Sequence, residues 1–316
     1  MDKTEFAIYG KLIQEKRNIS FESIEKDYVL SKVLSSYQKL KTQQTPLQGL
    51  IFKGGTLLAK KHLQYHRISV DLDFTHKESN QIRLLKGKTR ETKIKKTIIP
   101  IIEVFKKIAD QNDFDFQTSR TNTKYIKILN DRSVYKLYMY YNSFLNGGEE
   151  VIKIEINFVE DLIFNPCEDK LLNLAEFLGI EQKQLNVINY DLVEVNIPQY
   201  DIQEVMIEKI RAIVTRNALK ERDVFDLYLL NKLYSLNKIN PVFIKRKILC
   251  AEGYINNVEN HLNKSIKLLQ ENPQDFLKSD DNIEILLLIK INEKDYLEFK
   301  EALLQFLLKI IKAFFL

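Results

Sequence analysis

Apolar positions recur at two different periods along this chain, and the switches between them outline its elements. In the first forty residues the spacing is helical, with Ile24, Tyr28, Leu30 and Leu34 on one side of the stretch from Phe21 onward. Thr42-Gln43-Gln44-Thr45-Pro46 interrupts it, because the residue before a proline is pushed out of the helical region. A short apolar run follows (Leu50 to Phe52), then a Gly54-Gly55-Thr56 turn, then a helical segment from about Thr56 to Tyr65. Ser69 to Phe74 alternates strictly, so Ser69, Asp71 and Asp73 share one strand face while Val70, Leu72 and Phe74 point to the other. After a charged run that ends near Thr97, Ile98-Ile99-Pro100-Ile101-Ile102 leads into a helix through about Ala109. Lys124 to Leu129, Val134 to Tyr141 and Val151 to Phe158 read as strands, with Asn146-Gly147-Gly148 as a hairpin turn between the last two. Beyond Pro166 the pattern turns largely helical. The order predicts an α+β protein: a mixed β-sheet core flanked by helices, followed by a mainly helical C-terminal domain. The expected boundaries are 1–165 for the core (1–47 helices, 48–165 sheet) and 166–316 for the helical domain.

Bulk composition narrows the class without naming a function. A chain of 316 residues with 45% hydrophobic and 29% charged residues has room for two domains and an ordinary globular core. The net charge of +5 permits a nucleic-acid partner without requiring one. Cys167 and Cys250 form no CxxC pair, which argues against a disulfide framework or a zinc site. The N-terminus carries charges where a signal peptide needs an apolar core, and the apolar end, Leu303 to Leu316, is interrupted by Lys309 and Lys312. That end is too short to span a bilayer and reads as a packed terminal helix. A cytoplasmic protein without a membrane partner is expected.

The candidate chemistry sits between Leu50 and Phe74. Two carboxylates on one strand face, Asp71 and Asp73, repel each other unless a cation lies between them, and a hard divalent ion (Mg²⁺ or Mn²⁺) suits such oxygen ligands. Gly54 and Gly55 allow close backbone approach to phosphate, and the helix that follows adds its positive end. A phosphate cradle one helix away from a carboxylate pair is what nucleoside triphosphate chemistry needs. Farther along, Lys209 lies in an apolar helical stripe of Val205, Met206, Ala212 and Ile213. Its amine must snorkel to water, reach a buried carboxylate or meet a bound triphosphate. Asp223 and Asp226 lie one turn apart beside Arg222, as an ion-pair cluster or as groups that orient Lys209. Arg83, Lys86, Lys88, Arg90, Lys93, Lys95 and Lys96, against Glu91 alone, form either a solvated face or a phosphate-backbone contact. His62 and His66 have the spacing of a zinc pair but no third ligand, and read as a surface or interface pair.

The order strand, Gly-Gly turn, helix, strand with Asp-x-Asp resembles the nucleotidyltransferase superfamily. More specifically, the chain resembles the AbiEii/AbiGii nucleotidyltransferase toxins, the toxin halves of bacterial abortive-infection and toxin–antitoxin pairs. The matching residues are Ile24-Glu25-Lys26-Asp27-Tyr28 with Val33-Leu34, Phe52-Lys53-Gly54-Gly55-Thr56, Arg67 to Asp73, Glu208 to Ala212, Arg216, and Arg222 to Leu227. Val70 stands where the family usually has an acid, at a position expected to face the packed side. The resemblance implies a nucleotidyltransferase-like core in which Asp71 and Asp73 bind Mg²⁺ and the triphosphate. Lys53, Gly54, Gly55 and Thr56, with Ser69 nearby, would hold phosphates, and Lys209 would contact them, with Asp223 or Asp226 completing the site. Superfamily analogy adds Glu155 as a third acidic ligand or base. The implied activity is transfer of a nucleoside monophosphate from an NTP to RNA, with the tRNA 3′ end as acceptor, in phage defence beside a cognate antitoxin. The basic run from Arg83 to Lys96 is the candidate RNA contact. A protein or small-molecule hydroxyl as acceptor, or a non-catalytic partner-binding module, are the competing readings.

Overall fold

Strand alternation decides which side of the central sheet is packed. The computed structural model describes residues 1–41, 46–253, 255, 257–279 and 287–315; the expected break at Thr42 to Thr45 lies outside them. Among these residues seven strands form one mixed sheet: β1 (Leu50–Lys53), β2 (Asp71–His76), β3 (Ile126–Leu129), β4 (Val134–Asn142), β5 (Glu149–Asn157), β6 (Cys167–Leu171) and β7 (Val195–Gln199). Their order is β3-β4-β5-β2-β1-β7-β6, with β2–β5 and β1–β7 parallel and the other pairs antiparallel. Two helices from the start of the chain, α1 (Lys3–Lys16) and α2 (Phe21–Lys41), precede the sheet. Asp2 caps α1 through a capping box with Glu5, which satisfies otherwise orphaned N–H groups.

The packed face belongs to the even positions of β2. Phe74 stacks on Tyr37 of α2 (5.8 Å between ring centres), and contacts Phe52 of β1 (5.3 Å). It also lies 6.4 Å from Phe105. Phe105 sits on α5 (Gly87–Gln111), reached through the short helices α3 (Gly54–Leu57) and α4 (Ser79–Ile82). The sequence pattern starts a helix only near Pro100, whereas α5 runs straight through it. Pro100 lies on the exposed side, while Ile94, Ile98, Ile101, Ile102, Phe105 and Ile108 are buried on the other. Burying that stripe outweighs the ~3 kcal/mol cost of an interior proline.

Three further expectations are corrected. The helix after the glycines is not one segment from Thr56 to Tyr65 but α3 followed by a π-helical turn, Leu58–His62. Gln64 and Tyr65 then adopt left-handed φ values of 43° and 54°, which ends the helix before Tyr65. Val70 does not face the packed side. It is 42% exposed, because the strand begins at Asp71 and the alternation does not reach back to it. Finally, the stretch after Pro166 contributes β6 and β7 around the short helices α6 (Leu174–Phe177) and α7 (Gln182–Asn186). Five-residue strands with Pro198 in one of them are too brief to register as a period-2 pattern.

The backbone groups into two compact units, Met1–Val159 with Pro166–Gln199, and Glu160–Asn165 with Tyr200–Leu316. The sheet lies wholly in the first. The second is helical: α8 (Ile202–Thr215), α9 (Glu221–Leu233), α10 (Pro241–Glu252), α11 (Val258–Glu271), α12 (Pro273–Phe276) and α13 (Glu293–Phe314). Within it the buried Lys247 reaches Glu204 (2.6 Å), Glu208 (2.8 Å) and Glu160 (3.6 Å). Glu204 also accepts from the N–H groups of Ile163 (3.0 Å) and Phe164 (2.8 Å), so the segment 160–165 is anchored through charge and backbone together. Among the described residues no helix is long and apolar enough to cross a membrane.

Candidate active site

The two aspartates share a face because β2 alternates, and the register of its neighbours decides what stands beside them. Asp73 pairs with Lys53 of β1 on one side and Glu155 of β5 on the other, and Asp71 pairs with Lys153 of β5. Side chains that pair across adjacent strands share a face. Lys53, Asp71, Asp73, Lys153 and Glu155 therefore form one polar patch, extended by Lys136 of β4 opposite Glu155. Lys153 Nζ lies 2.6 Å from Asp71, and Lys136 Nζ lies 3.1 Å from Glu155.

Electrostatics within the patch are uneven. Burial pushes the Asp73 carboxyl up to about 6, Glu155 and Asp71 add to the rise, and Lys53 and Lys153 partly offset it. Burial works against the charge of Lys153, but the hydrogen bond to Asp71 and the surrounding carboxylates hold its amine above the ordinary range. Carboxylates crowded until one resists ionisation, with lysines as counter-ions, are a site where a divalent cation gains binding energy.

The Gly-Gly turn is fitted to the strand. Gly54 has φ +81°, and a Cβ there would lie 2.1 Å from Asp73 Oδ2, so both the backbone and the close carboxylate require glycine. A Cβ on Gly55 would meet Arg67 Nη2 at 2.8 Å and Ser69 Oγ at 2.9 Å. The buried Thr56 hydroxyl donates to the Asp71 carbonyl and lies 3.0 Å from Ser69 Oγ. Lys53, Gly54, Gly55, Thr56, Ser69, Asp71, Asp73 and Glu155 are thus brought together at one end of the sheet. The donor set is all oxygen, and fits a hard cation. Among the described residues no group of three or more His, Cys, Asp or Glu is already gathered to hold a metal, since Asp71 and Glu155 are turned to lysines.

Lys209, Asp223 and Asp226 make a cluster of their own in the second unit. Lys209 Nζ lies 2.6 Å from both Asp223 and Asp226, and Arg216 also pairs with Asp223. Burial opposes ionisation of Asp223, yet Lys209 and Arg216 hold it below the usual carboxylate range. Of the alternatives open for Lys209, its amine takes the buried carboxylates. In the basic run, Arg90 pairs with Asp131 (2.8 Å) and Lys93 with Glu78 (2.8 Å), while Lys86, Lys88, Lys95 and Lys96 are exposed. His66 is buried beyond the end of the π turn, whereas His62 is half-buried within it, so they do not form an exposed helical pair.

Three groups escape the sequence reading. Lys153 was readable, because it alternates with Glu155 and so had to share its face. Arg67, matched only as the start of the family-like stretch to Asp73, is buried against Gly55, a position its spacing did not announce. Lys60 is 2% exposed and lies 2.6 Å from Asp27, 2.9 Å from Ser31 Oγ and 2.8 Å from Tyr65 Oη. This buried network fastens the π turn to α2, and it gives a structural role to Asp27.

Comparison with known proteins adds a family. The model described as "Nucleotidyl transferase AbiEii toxin, Type IV TA system" matches residues 40–314. Among curated proteins, none matches. The crystal structure of JHP933 from Helicobacter pylori is similar at 18% identity and a TM-score of 0.43, over 94% of this chain and 96% of that one. A second H. pylori structure, provisionally described as a nucleotidyltransferase, is similar at 18% identity and a TM-score of 0.43, over 93% of this chain and 98% of that one. At that TM-score neither likeness bears on fold or function.

Proposed function

The chain belongs to the AbiEii family of nucleotidyl transferase toxins of type IV toxin–antitoxin systems, and from that premise we propose that Asp71 and Asp73 are the centre of its transfer reaction. The observation that carries this reading is the carboxylate pair in register with Glu155, directly beneath the Gly54-Gly55 turn. The reaction is attack by an acceptor hydroxyl on the α-phosphorus of a nucleoside triphosphate, with pyrophosphate leaving. Asp71 and Asp73 would hold Mg²⁺ or Mn²⁺, with Glu155 alongside, and the ion would supply charge neutralisation at the reacting phosphoryl group.

The chain's own groups do the remaining work. Gly54, Gly55 and Thr56 with Ser69 position the phosphates, and Lys53 adds positive charge there. Lys153 and Lys136 act as counter-ions that keep the carboxylates from repelling one another before substrate arrives. Glu155 is placed to accept the proton of the attacking hydroxyl. Within the second unit, Asp223 and Asp226 fix the Lys209 amine. The acceptor is RNA, with the tRNA 3′ end as the specific expectation. Arg83 to Lys96 is a candidate contact for its backbone. Blocking that end in a cytoplasmic phage-defence response, with an antitoxin as partner, completes the reading.

The test is incubation of purified protein with labelled triphosphates and separate RNA and protein pools, with and without Mg²⁺. Label in RNA, lost with chelator and in Asp73→Asn, is the expected result. Label in the protein pool alone moves the acceptor to a protein hydroxyl. Undiminished labelling by folded Asp73→Asn removes the carboxylate pair from the mechanism.

A further inference from the structure

The sheet face that carries Asp71 and Asp73 continues past the carboxylates. Asp71 stands beside Lys153, and Lys153 beside Tyr138; Asp73 stands beside Glu155, Glu155 beside Lys136, and Lys136 beside Lys127 on the outermost strand. Tyr140 and Val151 pair next to these and share the face. At one end this face is closed, with Thr75, Asn157 and Val134 buried. At the end nearest Asp71 it is open: Lys127 is exposed, Val151 is 43% exposed, and Lys136, Tyr138 and Tyr140 are half-buried. Lysines sit over both rings. Lys127 Nζ is 5.2 Å from the centre of Tyr138, and Lys124 Nζ is 4.4 Å from that of Tyr140.

We propose that this open half-face, with Tyr138 and Tyr140 flanked by Lys127 and Lys136, binds the single-stranded end of an RNA acceptor. The proposal rests on nucleotidyl transfer to RNA at Asp71 and Asp73. Aromatic platforms interleaved with lysine are how single strands are held without base readout, since every base has a face to stack and every nucleotide a phosphate. The scale fits as well. Neighbouring strands lie about 4.8 Å apart, so Tyr138 stands roughly 10 Å from Asp71 along the sheet. At about 3.4 Å per nucleotide of a stacked strand that is about three nucleotides, which lets a base stacked on Tyr138 lie just upstream of a terminal hydroxyl at the carboxylates. Stacking outweighs charge here, because Lys136 is paired with Glu155, and Lys124 lies 3.3 Å from both Asp115 and Glu149.

Two affinities decide the matter, measured on wild type, Tyr138→Ala, Tyr138→Phe and Lys127→Gln. One is for a fluorescein-labelled single-stranded RNA with a free 3′ hydroxyl, by anisotropy; the other is for the triphosphate with Mg²⁺ alone, by calorimetry. Tyr138→Ala should weaken RNA binding about tenfold and Lys127→Gln about threefold, with Tyr138→Phe within about twofold of wild type and triphosphate affinity unchanged throughout. RNA affinity unchanged in Tyr138→Ala overturns the proposal. So does an equal loss of triphosphate affinity, which assigns the ring to the incoming nucleotide instead. Should Tyr138→Ala fail to fold, Tyr138→Leu and Lys127→Gln make the same comparison. A wild type that labels RNA while these variants bind normally sinks the half-face alone. A wild type that labels only protein sinks the RNA reading and the half-face together.

Discussion

At the scale of single residues the site depends on how closely Asp73 can approach a backbone without a side chain. Gly54→Ala places a methyl 2.1 Å from Asp73 Oδ2 at a φ of +81°, so it carries the ~1–2 kcal/mol left-handed penalty and also displaces the carboxylate. A lower melting temperature together with loss of nucleotide transfer is expected. Gly55→Ala meets only the ends of Arg67 and Ser69, at a backbone angle outside the left-handed region, and should cost less in both assays. Equal behaviour of the two variants would refute this account of the turn. A second residue reports on acid stability. Burial lowers His76 to about 4, from an ordinary value near 6.5, while its Nδ1 accepts from the Glu78 N–H at 3.2 Å. The folded state therefore keeps His76 neutral while the unfolded chain takes up a proton. The stability it contributes is present above 6.5 and is lost as pH falls from there to about 4. Across that window the loss is roughly 3 kcal/mol. Urea midpoints at pH 7.5 and 4.5 should differ more in wild type than in His76→Gln; identical differences would show that His76 is not held neutral.

At the scale of elements, what holds the π turn in place is a buried ion pair between elements far apart in sequence. Asp27 on α2 and Lys60 in the turn are 5% and 2% exposed at 2.6 Å. Removing one partner strands the other in a dry interior. Asp27→Leu or Lys60→Met alone should cost about 3–5 kcal/mol in urea unfolding, with much of that recovered in the double variant. Full additivity of the two losses would mean that the pair is not coupled. The same pair marks the limit of the sequence pattern. β2, β4 and β5 were legible because alternation is a local signal, β1 only as a short apolar run before the glycines, and the Asp71–Asp73 face followed from the alternation directly. Lys60 lies in a helical stretch whose periodicity cannot tell an inward lysine from an outward one. Nor could it be known that Pro100 would sit on the solvent side of α5, or that β6 and β7 would find a sheet, because pairing partners decide both.

At the scale of the whole molecule, the charge balance limits how an RNA partner can be held. The chain has 48 Lys and Arg against 43 Asp and Glu, and several basic groups nearest the proposed surfaces are already answered: Arg90 by Asp131, Lys93 by Glu78, Arg132 by Glu91 and Lys136 by Glu155. A binder of this composition engages few phosphates at once and draws much of its affinity from stacking. Each phosphate neutralised on a single strand steepens the plot of log affinity against log salt by about 0.7. With three or four engaged, the slope between 50 and 200 mM salt should be about −2 to −3. Replacing the exposed Lys86, Lys88, Lys95 and Lys96 by Gln should flatten it by about 0.7 for each lysine that touches RNA, and lower affinity to match. An unchanged slope and affinity would take this run off the RNA surface. The tyrosine face of the sheet would then carry the acceptor largely by stacking, and affinity would resist salt for that reason.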